Sequence, residues 1–266
     1  MTKRRLSARM ALLGALVLPL LAGGRSFADD KVKVEYSIQL GSVEVGKAEL
    51  EQRPGGDRVK SQFELRTGGG LLGLLQEKTS SELEGTTLHR DGQAVPSEFH
   101  AEYKKPDRKR EITMRYDDGG AVADFQYVNN GQDRDSDVPK DRWAETVDPL
   151  TALQRVQLWL AGGAKAKGEV LDIPVFDGRR RSDVKVRYLG RAQAQDGEGG
   201  GQVSALEVLI VGHEGFDEKD EFVTLADGGP EKWIDVRFST DAMPVPLGGQ
   251  VRTSRPPVTV TVTDRD

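Results

Sequence analysis

The chain has 266 residues, contains no cysteine and has a formal net charge of −5 at pH 7. An acidic chain repels the phosphate backbone of nucleic acid and the head groups of anionic lipids, so we expect neither as a bulk partner. Without cysteine the chain has neither disulfide bonds nor a thiol nucleophile, and its stability must come from a packed core.

The N-terminus predicts an export signal. A basic stretch over residues 3–9 precedes an uncharged, mostly apolar run from Met10 to Leu21, and Ser26-Phe27-Ala28 places small residues where a signal peptidase reads them. We expect residues 1–28 to be a secretory signal peptide, cleaved after Ala28, and residues 29–266 to be a single β-rich domain in the periplasm. Residues 1–28 contain five of the 38 basic and none of the 43 acidic residues, so the mature net charge is about −10. After Leu21 no apolar run approaches the roughly 18 residues of a membrane-spanning helix, so the mature chain has no predicted transmembrane segment.

Alternating apolar and polar residues predict a mainly β protein. The first alternation covers residues 32–40, and the same period of two recurs along most of the chain. Turn signals such as Lys105-Pro106-Asp107 and Asp117-Asp118-Gly119-Gly120 separate the strands. Connections this short require antiparallel pairing. We therefore predict a strongly curved antiparallel sheet, or an incomplete β-barrel, of about a dozen strands.

One segment, residues 148–161, predicts an amphipathic helix. Asp148 is a good N-cap, Pro149 suits the first helical position, and Gly162-Gly163 ends the helix. Near one stripe of this helix lie Leu150, Leu153, Val156, Gln157 and Leu160. A single helix of this kind in a β protein usually plugs the sheet or covers one of its faces.

A glycine-rich apolar segment, Gly68 to Leu75, lies between two predicted strands. It supplies the candidate ligand-binding residues of the chain, Leu71, Leu72, Leu74 and Leu75. One interpretation is a lip that contacts lipid or another hydrophobic partner. The other is a loop folded into the core, since exposed leucine clusters are costly in monomers.

A second unusual segment is the turn Phe176-Asp177-Gly178 followed by three arginines, Arg179 to Arg181. Asp-Gly favours a hairpin turn, with the arginines at the start of the next strand. The two interpretations are a solvated turn and a site for an anionic head group.

Catalytic and metal-binding motifs are missing from the sequence. The run Asp133, Asp135 and Asp137 begins like a calcium loop, but Val138 and Ala144 stand where an EF-hand needs glycine and glutamate. We interpret it as a solvated acidic loop and leave weak ion binding open. The histidines His89, His100 and His213 show no metal-ligand spacing, and no Gly-x-Ser-x-Gly elbow occurs. We therefore expect no enzyme activity, no cofactor and no metal site.

Several short motifs occur in an order that resembles the bacterial family called domain of unknown function 3108. They are Tyr36-x-Ile38, Val45-Gly46-x-Ala48-x-Leu50, the helix start Asp148–Leu153, Ile173-Pro174-Val175-x-Asp177-Gly178-Arg179 and the segment Phe238–Pro244. The resemblance implies a periplasmic, β-rich protein and supplies neither an established activity nor catalytic residues. Curved sheets around a helix are similar to lipoprotein-carrier and lipid-binding envelope proteins, which is an analogy of fold alone.

These observations favour a non-enzymatic periplasmic protein of the cell envelope. We expect it to bind a lipid, a lipoprotein or a glycan on the concave face of the curved sheet. One alternative is a scaffolding module of an envelope complex, for which the interior would be solidly packed and a partner would add at an edge strand. The other alternative is a polysaccharide hydrolase, which would need two converging carboxyl groups, one with a raised pKa.

Overall fold

The computed structural model describes residues 31–68, 78–195, 197–217, 222–228, 230–251 and 256–266. In these ranges the chain forms one α-helix, α1 (Pro149–Ala161), and a sheet of fifteen β-strands. The strands are β1 (Val32–Leu40), β2 (Val43–Gly55), β3 (Arg58–Thr67), β4 (Thr79–Arg90), β5 (Gln93–Lys105), β6 (Arg108–Tyr116), β7 (Val122–Asn129), β8 (Gln132–Arg134), β9 (Val170–Phe176), β10 (Arg181–Gln193), β11 (Gln202–Glu214), β12 (Thr224–Leu225), β13 (Trp233–Phe238), β14 (Pro246–Val251) and β15 (Val258–Arg265). The predicted helix over 148–161 is confirmed, with Asp148 as its N-cap.

The sheet consists of two antiparallel meanders. Its order is β8-β7-β6-β5-β4-β3-β2-β1-β15-β14-β13-β11-β10-β9, and β12 pairs in parallel with β11. The pairing of β1 with β15 joins the first meander to the second, and α1 lies in the connection between β8 and β9. The sheet is open, with β8 and β9 as its ends. The predicted incomplete antiparallel barrel is thus confirmed.

The first hairpin, between β1 and β2, has a tight turn and a bulge. Gly41 has a φ of +64°, which suits the first position of a two-residue turn with Leu40 opposite Val43. Ile38 then pairs with Gly46 and Gln39 with Glu44, so that one residue of β2 has no partner on β1. This bulge increases the local bend of the sheet.

Two strands, β8 and β14, are additional to the dozen or so that the sequence predicts. β14 contains Gly248 and Gly249, which weaken the strand pattern in the sequence. The structure gives them a function, because a Cβ on Gly248 would lie 2.7 Å from the carbonyl oxygen of Val260 and one on Gly249 2.6 Å from that of Asp235. Glycine therefore permits the close approach of both neighbouring strands.

The two ends of the sheet meet around α1. Phe176 at the end of β9 is fully buried in a cluster with Phe99, Ile112 and Met114 from β5 and β6. Trp143 stacks on Phe176 with ring centroids 5.1 Å apart. The segment before α1 also pairs with β9 through a bridge from Val147 to Val175. The sheet therefore curls around the helix, and its concave face and α1 share one interior.

Candidate functional site

The N-cap fixes the start of α1 inside the curled sheet. The Asp148 carboxylate accepts hydrogen bonds from the backbone N–H groups of Leu150 and Thr151, both at 2.9 Å, and from the Thr151 hydroxyl at 2.7 Å. Asp148 is fully buried. Burial raises the pKa of this carboxyl group, and the hydrogen bonds from Thr151 and Leu150 oppose that increase.

One side of α1 is held by buried polar groups, which we call the polar contact. Gln157 and Gln52 on β2 exchange two amide hydrogen bonds of 2.8 and 3.1 Å. The Thr151 hydroxyl lies 2.9 Å from that of Thr87 on β4, and the Gln154 amide oxygen lies 3.1 Å from His89 Nε2. Burial lowers the pKa of His89, which favours the neutral ring. These directional bonds fix the rotation of the helix against the sheet.

The other side of α1 faces apolar space. A first cavity of about 470 Å³ lies between the helix and the concave face of the sheet. Its lining is apolar apart from the hydroxyl of Tyr36 and the amide of Gln250: Tyr36, Ile38, Ala48, Leu50, Phe63, Leu65, Leu83, Pro149, Leu150, Leu153, Ile234, Val236, Pro246, Gly248, Gly249, Gln250, Val251, Val258 and Val260. The Tyr36 hydroxyl donates to the Pro246 carbonyl oxygen at 2.8 Å, so this polar group is already satisfied.

A second cavity, of about 440 Å³, shares Pro149, Leu153, Val236 and Pro246 with the first. The remaining apolar lining comes from α1, β9, β10, β11 and their neighbours: Ala152, Val156, Val175, Val184, Val186, Val208, Ile210, Phe216, Val223 and Phe238. Polar groups from Asp177, Arg180 and Ser182 also line it. The two cavities meet at Leu153 and form an apolar site along one side of the helix.

The residues that the sequence singles out fall in different places. Leu71, Leu72, Leu74 and Leu75 lie outside the described residues. The strands that precede and follow this segment contribute Leu65 and Leu83 to the first cavity.

The acidic residues Asp133, Asp135 and Asp137 do not line either cavity. Asp133 accepts a hydrogen bond from Gln126 at 3.3 Å, and an Asp137 oxygen lies 3.8 Å from Arg179 Nη2. Within the described ranges, no three histidine or carboxylate side chains are grouped so as to hold a metal ion.

The convex face has a charged groove of about 410 Å³ across β2 to β6. Glu51, Glu84 and Glu98 line it together with basic side chains. Glu51 is paired with Lys31 at 2.7 Å, and the hydrogen bond from Lys31 lowers the pKa of this carboxyl group. The groove therefore contains a carboxylate that is stabilised in its charged form, which is the opposite of a general acid.

Comparison with known proteins places the chain in a family. The family described as "Protein of unknown function (DUF3108)" matches residues 35–243. The chain belongs to the DUF3108 family. This confirms the resemblance inferred from the order of short motifs. Curated proteins give no match to this DUF3108 chain.

The fold of this DUF3108 chain is similar to that of a solved structure. This is the crystal structure of a β-barrel-like protein of domain of unknown function DUF1849 from Brucella abortus, with a TM-score of 0.51 and 14% identity. The match covers 89% of this chain and 96% of that chain, and it shows the fold alone. None of the helices in the described ranges has the length and apolar character needed to cross a membrane.

Proposed function

We propose that this DUF3108 protein is a non-enzymatic binding protein of the cell envelope that holds the apolar chain of a lipid or lipoprotein beside α1. The main observation is the pair of apolar cavities that meet at Leu153. Ligand sites in proteins are typically concave, mostly apolar and about 300–1,000 Å³ in volume. Each of the two cavities falls in that range.

The lining favours an alkyl chain over a glycan. A sugar needs several hydrogen-bond partners for its hydroxyl groups, and the first cavity offers few polar groups, one of them already bonded. An alkyl chain needs none and gains about 0.8 kcal/mol for each methylene group removed from water. Ten methylene groups would thus contribute about 8 kcal/mol before the entropic costs of binding.

The open interior favours a binding protein over a scaffolding module. Protein cores are close-packed, and an unfilled apolar space loses the dispersion contacts of its lining. A scaffold has no need for such a space. On the opposite side of α1, direct hydrogen bonds join Gln157 to Gln52 and Thr151 to Thr87.

Two further observations support the non-enzymatic and exported parts of the proposal. Two carboxyl groups have raised pKa values, and each accepts backbone N–H bonds that define a cap, at Asp148, or a turn, at Asp177. These hydrogen bonds give both carboxyl groups a structural explanation. The signal-like sequence of residues 1–28 would take the protein to the periplasm, where lipids and lipoproteins pass between membranes.

The experiment is a titration with N-phenyl-1-naphthylamine, a neutral apolar fluorophore. We expect saturable binding to the wild-type protein and at least about tenfold weaker binding to Leu153→Trp, because the indole fills the junction of the cavities. Leu158→Trp, on the same helix but outside both cavities, is the matched control and should bind like the wild type. The proposal fails if the wild type shows no saturable binding or if Leu153→Trp binds as tightly as the control.

A further inference from the structure

The turn between β9 and β10 is packed against the first meander. The partly buried Asp177 carboxylate accepts hydrogen bonds from the backbone N–H groups of Arg179 at 2.8 Å and Arg180 at 2.7 Å, which fixes the turn. A Cβ on Gly178 would lie 2.3 Å from Ile112 Cγ2 on β6, so the backbone of the turn closely approaches that strand. The Arg179 side chain is 16% exposed. The interpretation as a solvated turn is therefore wrong.

A third arginine, Arg110, lies on the same strand as Ile112. Because side chains two residues apart share one face of a strand, Arg110 faces the side against which the turn packs. Burial, together with the nearby charges of Arg179, Arg108 and Arg180, lowers the pKa of Arg110. Arg110 therefore lies in a positively charged environment, which a bound anion would stabilise.

Several buried polar atoms around this cluster have no hydrogen-bond partner among the described residues. Two are donors, Nε of Arg110 and Nε of Arg179, and one is an acceptor, Oδ1 of Asn129, which is directly opposite Arg110 on β7. Buried polar groups in native proteins are nearly always bonded, so unpaired donors of this kind indicate a bound ion, ligand or water. Two guanidinium groups favour an anion because they offer only donors.

The cluster adjoins the second cavity. Arg180 lines that cavity, and its guanidinium lies over the Phe216 ring at 5.0 Å. Arg179 lies over the Tyr127 ring at 5.8 Å. The carboxylates of Asp137 and Asp177 also face the arginines, but Asp177 accepts two backbone bonds and Asp137 is 3.8 Å from Arg179. An apolar cavity lined by Arg180, with the cationic side chains of Arg179 and Arg110 nearby, matches an amphiphile.

We propose that Arg110, Arg179 and Arg180 bind the anionic head group, a carboxylate or a phosphate, of an amphiphile whose alkyl chain lies in the second cavity. This inference rests on the proposed function and names the class of ligand. Planar guanidinium groups match both oxyanions with paired hydrogen bonds. The net negative charge of the chain does not prevent this, because salt screens distant charges beyond about 8 Å.

The experiment compares ligands with one tail and different heads. Dodecanoate, dodecyl phosphate and dodecanol each compete with N-phenyl-1-naphthylamine for the wild-type protein, and inorganic phosphate is added alone. We expect the two anions to bind roughly tenfold more tightly than dodecanol. Arg179→Gln/Arg180→Gln and, separately, Arg110→Gln should lose most of this preference while dodecanol binds as before. Arg115→Gln is the matched control, since this arginine is 67% exposed and forms a 3.7 Å ion pair with Asp124 on the same sheet.

Each outcome has one meaning. Equal binding of all three dodecyl compounds to the wild type overturns the head-group site and leaves the cavity as proposed. Inorganic phosphate that competes as well as dodecyl phosphate overturns the claim that the ligand is an amphiphile. A variant that weakens dodecanol as much as the anions shows a structural effect of the turn and also overturns the site. If the fluorophore itself does not bind, both the proposed function and this inference fail.

Discussion

The two sides of α1 contact the same curled sheet through different kinds of interaction. On one side, the polar contact joins Gln157, Thr151 and Gln154 to side chains of β2 and β4 through bonds of about 3 Å. On the other side, Leu153 projects between two apolar cavities. The helix is thus anchored by directional bonds on one side and is left incompletely packed on the other.

This difference assigns two tasks to two sides of the helix: the polar side fixes the position of α1, and the apolar side is the proposed binding site. Hydrogen bonds between buried groups are satisfied in one arrangement only, so they hold the helix in place whether or not the apolar side is filled. Apolar contacts are not directional, and their space can be taken by an alkyl chain without disturbing the anchor. Substitutions on one side of α1 therefore test whether the other side responds.

The largest effect is expected at the N-cap. Asp148→Ala removes the acceptor of two backbone N–H groups and leaves the buried Thr151 hydroxyl with one partner fewer. We expect the free energy of unfolding to fall by about 3 kcal/mol, measured by urea denaturation. Asp141→Ala changes an exposed acid before the helix and is the control, with an expected change below about 0.5 kcal/mol. A loss no larger than that of the control would show that the cap does not anchor the helix.

Substitution of the glutamine pair, Gln52 and Gln157, should have the next largest effect on the free energy of unfolding. Gln157→Leu leaves the Gln52 amide buried without its main partner, which should cost about 2 kcal/mol of unfolding free energy. The double variant with Gln52→Leu as well should recover about half of that loss, because neither side then buries an unpaired amide. Additive losses in this double-mutant cycle would refute a direct coupling between the two residues.

The sequence predicts the elements of the fold better than it predicts the contacts between the helix and the sheet. Strand alternation, the Asp148-Pro149 start and the Gly162 end are local signals, and the structure agrees with them. The glutamine pair joins positions 105 residues apart, so it depends on the sheet register, which no local signal gives. The helix itself carries one signal of this contact: α1 contains a single charged residue, Arg155, and has Thr151, Gln154 and Gln157 at every third position. A helix with so little charge is surrounded by protein on most sides.

The binding site was predictable only in outline. Curvature and alternation predict a concave apolar face, but the cavities depend on how β13 to β15 pack beside β1. One of these strands, β14, has a weak signal in the sequence because it contains Gly248 and Gly249. The arginine turn was identified from sequence, whereas its burial depends on the meeting of β6 with the turn after β9.

A smaller effect concerns the pH dependence of stability. Burial raises the pKa of Asp177, so the native state binds this proton more tightly than the unfolded chain does. Relative to Asp177→Asn, which keeps an acceptor for the turn, the wild type should be most stable below the ordinary aspartate pKa of about 3.9. That advantage should be lost as the pH rises through the raised pKa. Unfolding free energies of both proteins at several pH values test this, and a wild-type advantage that grows with pH would contradict it.

The smallest expected effect concerns the predicted leucine segment. Leu71→Ser/Leu74→Ser should reduce uptake of the apolar fluorophore by about twofold to threefold if the segment is the predicted lip, because serine offers less apolar surface to the ligand. The midpoint of urea unfolding should stay unchanged, since the polar contact is intact. Unchanged uptake would refute the lip, and a large loss of stability would support a loop folded into the core.

The most direct test of the apolar site is native mass spectrometry of the protein, isolated from cells without refolding. We expect the wild type to retain an added mass that disappears on organic extraction and is then identified as a lipid or lipoprotein chain. Leu153→Trp should be isolated with the mass of the bare chain, and Leu158→Trp should resemble the wild type. The same added mass on Leu153→Trp would contradict the account, as would a bare wild-type chain that also fails to take up the fluorophore.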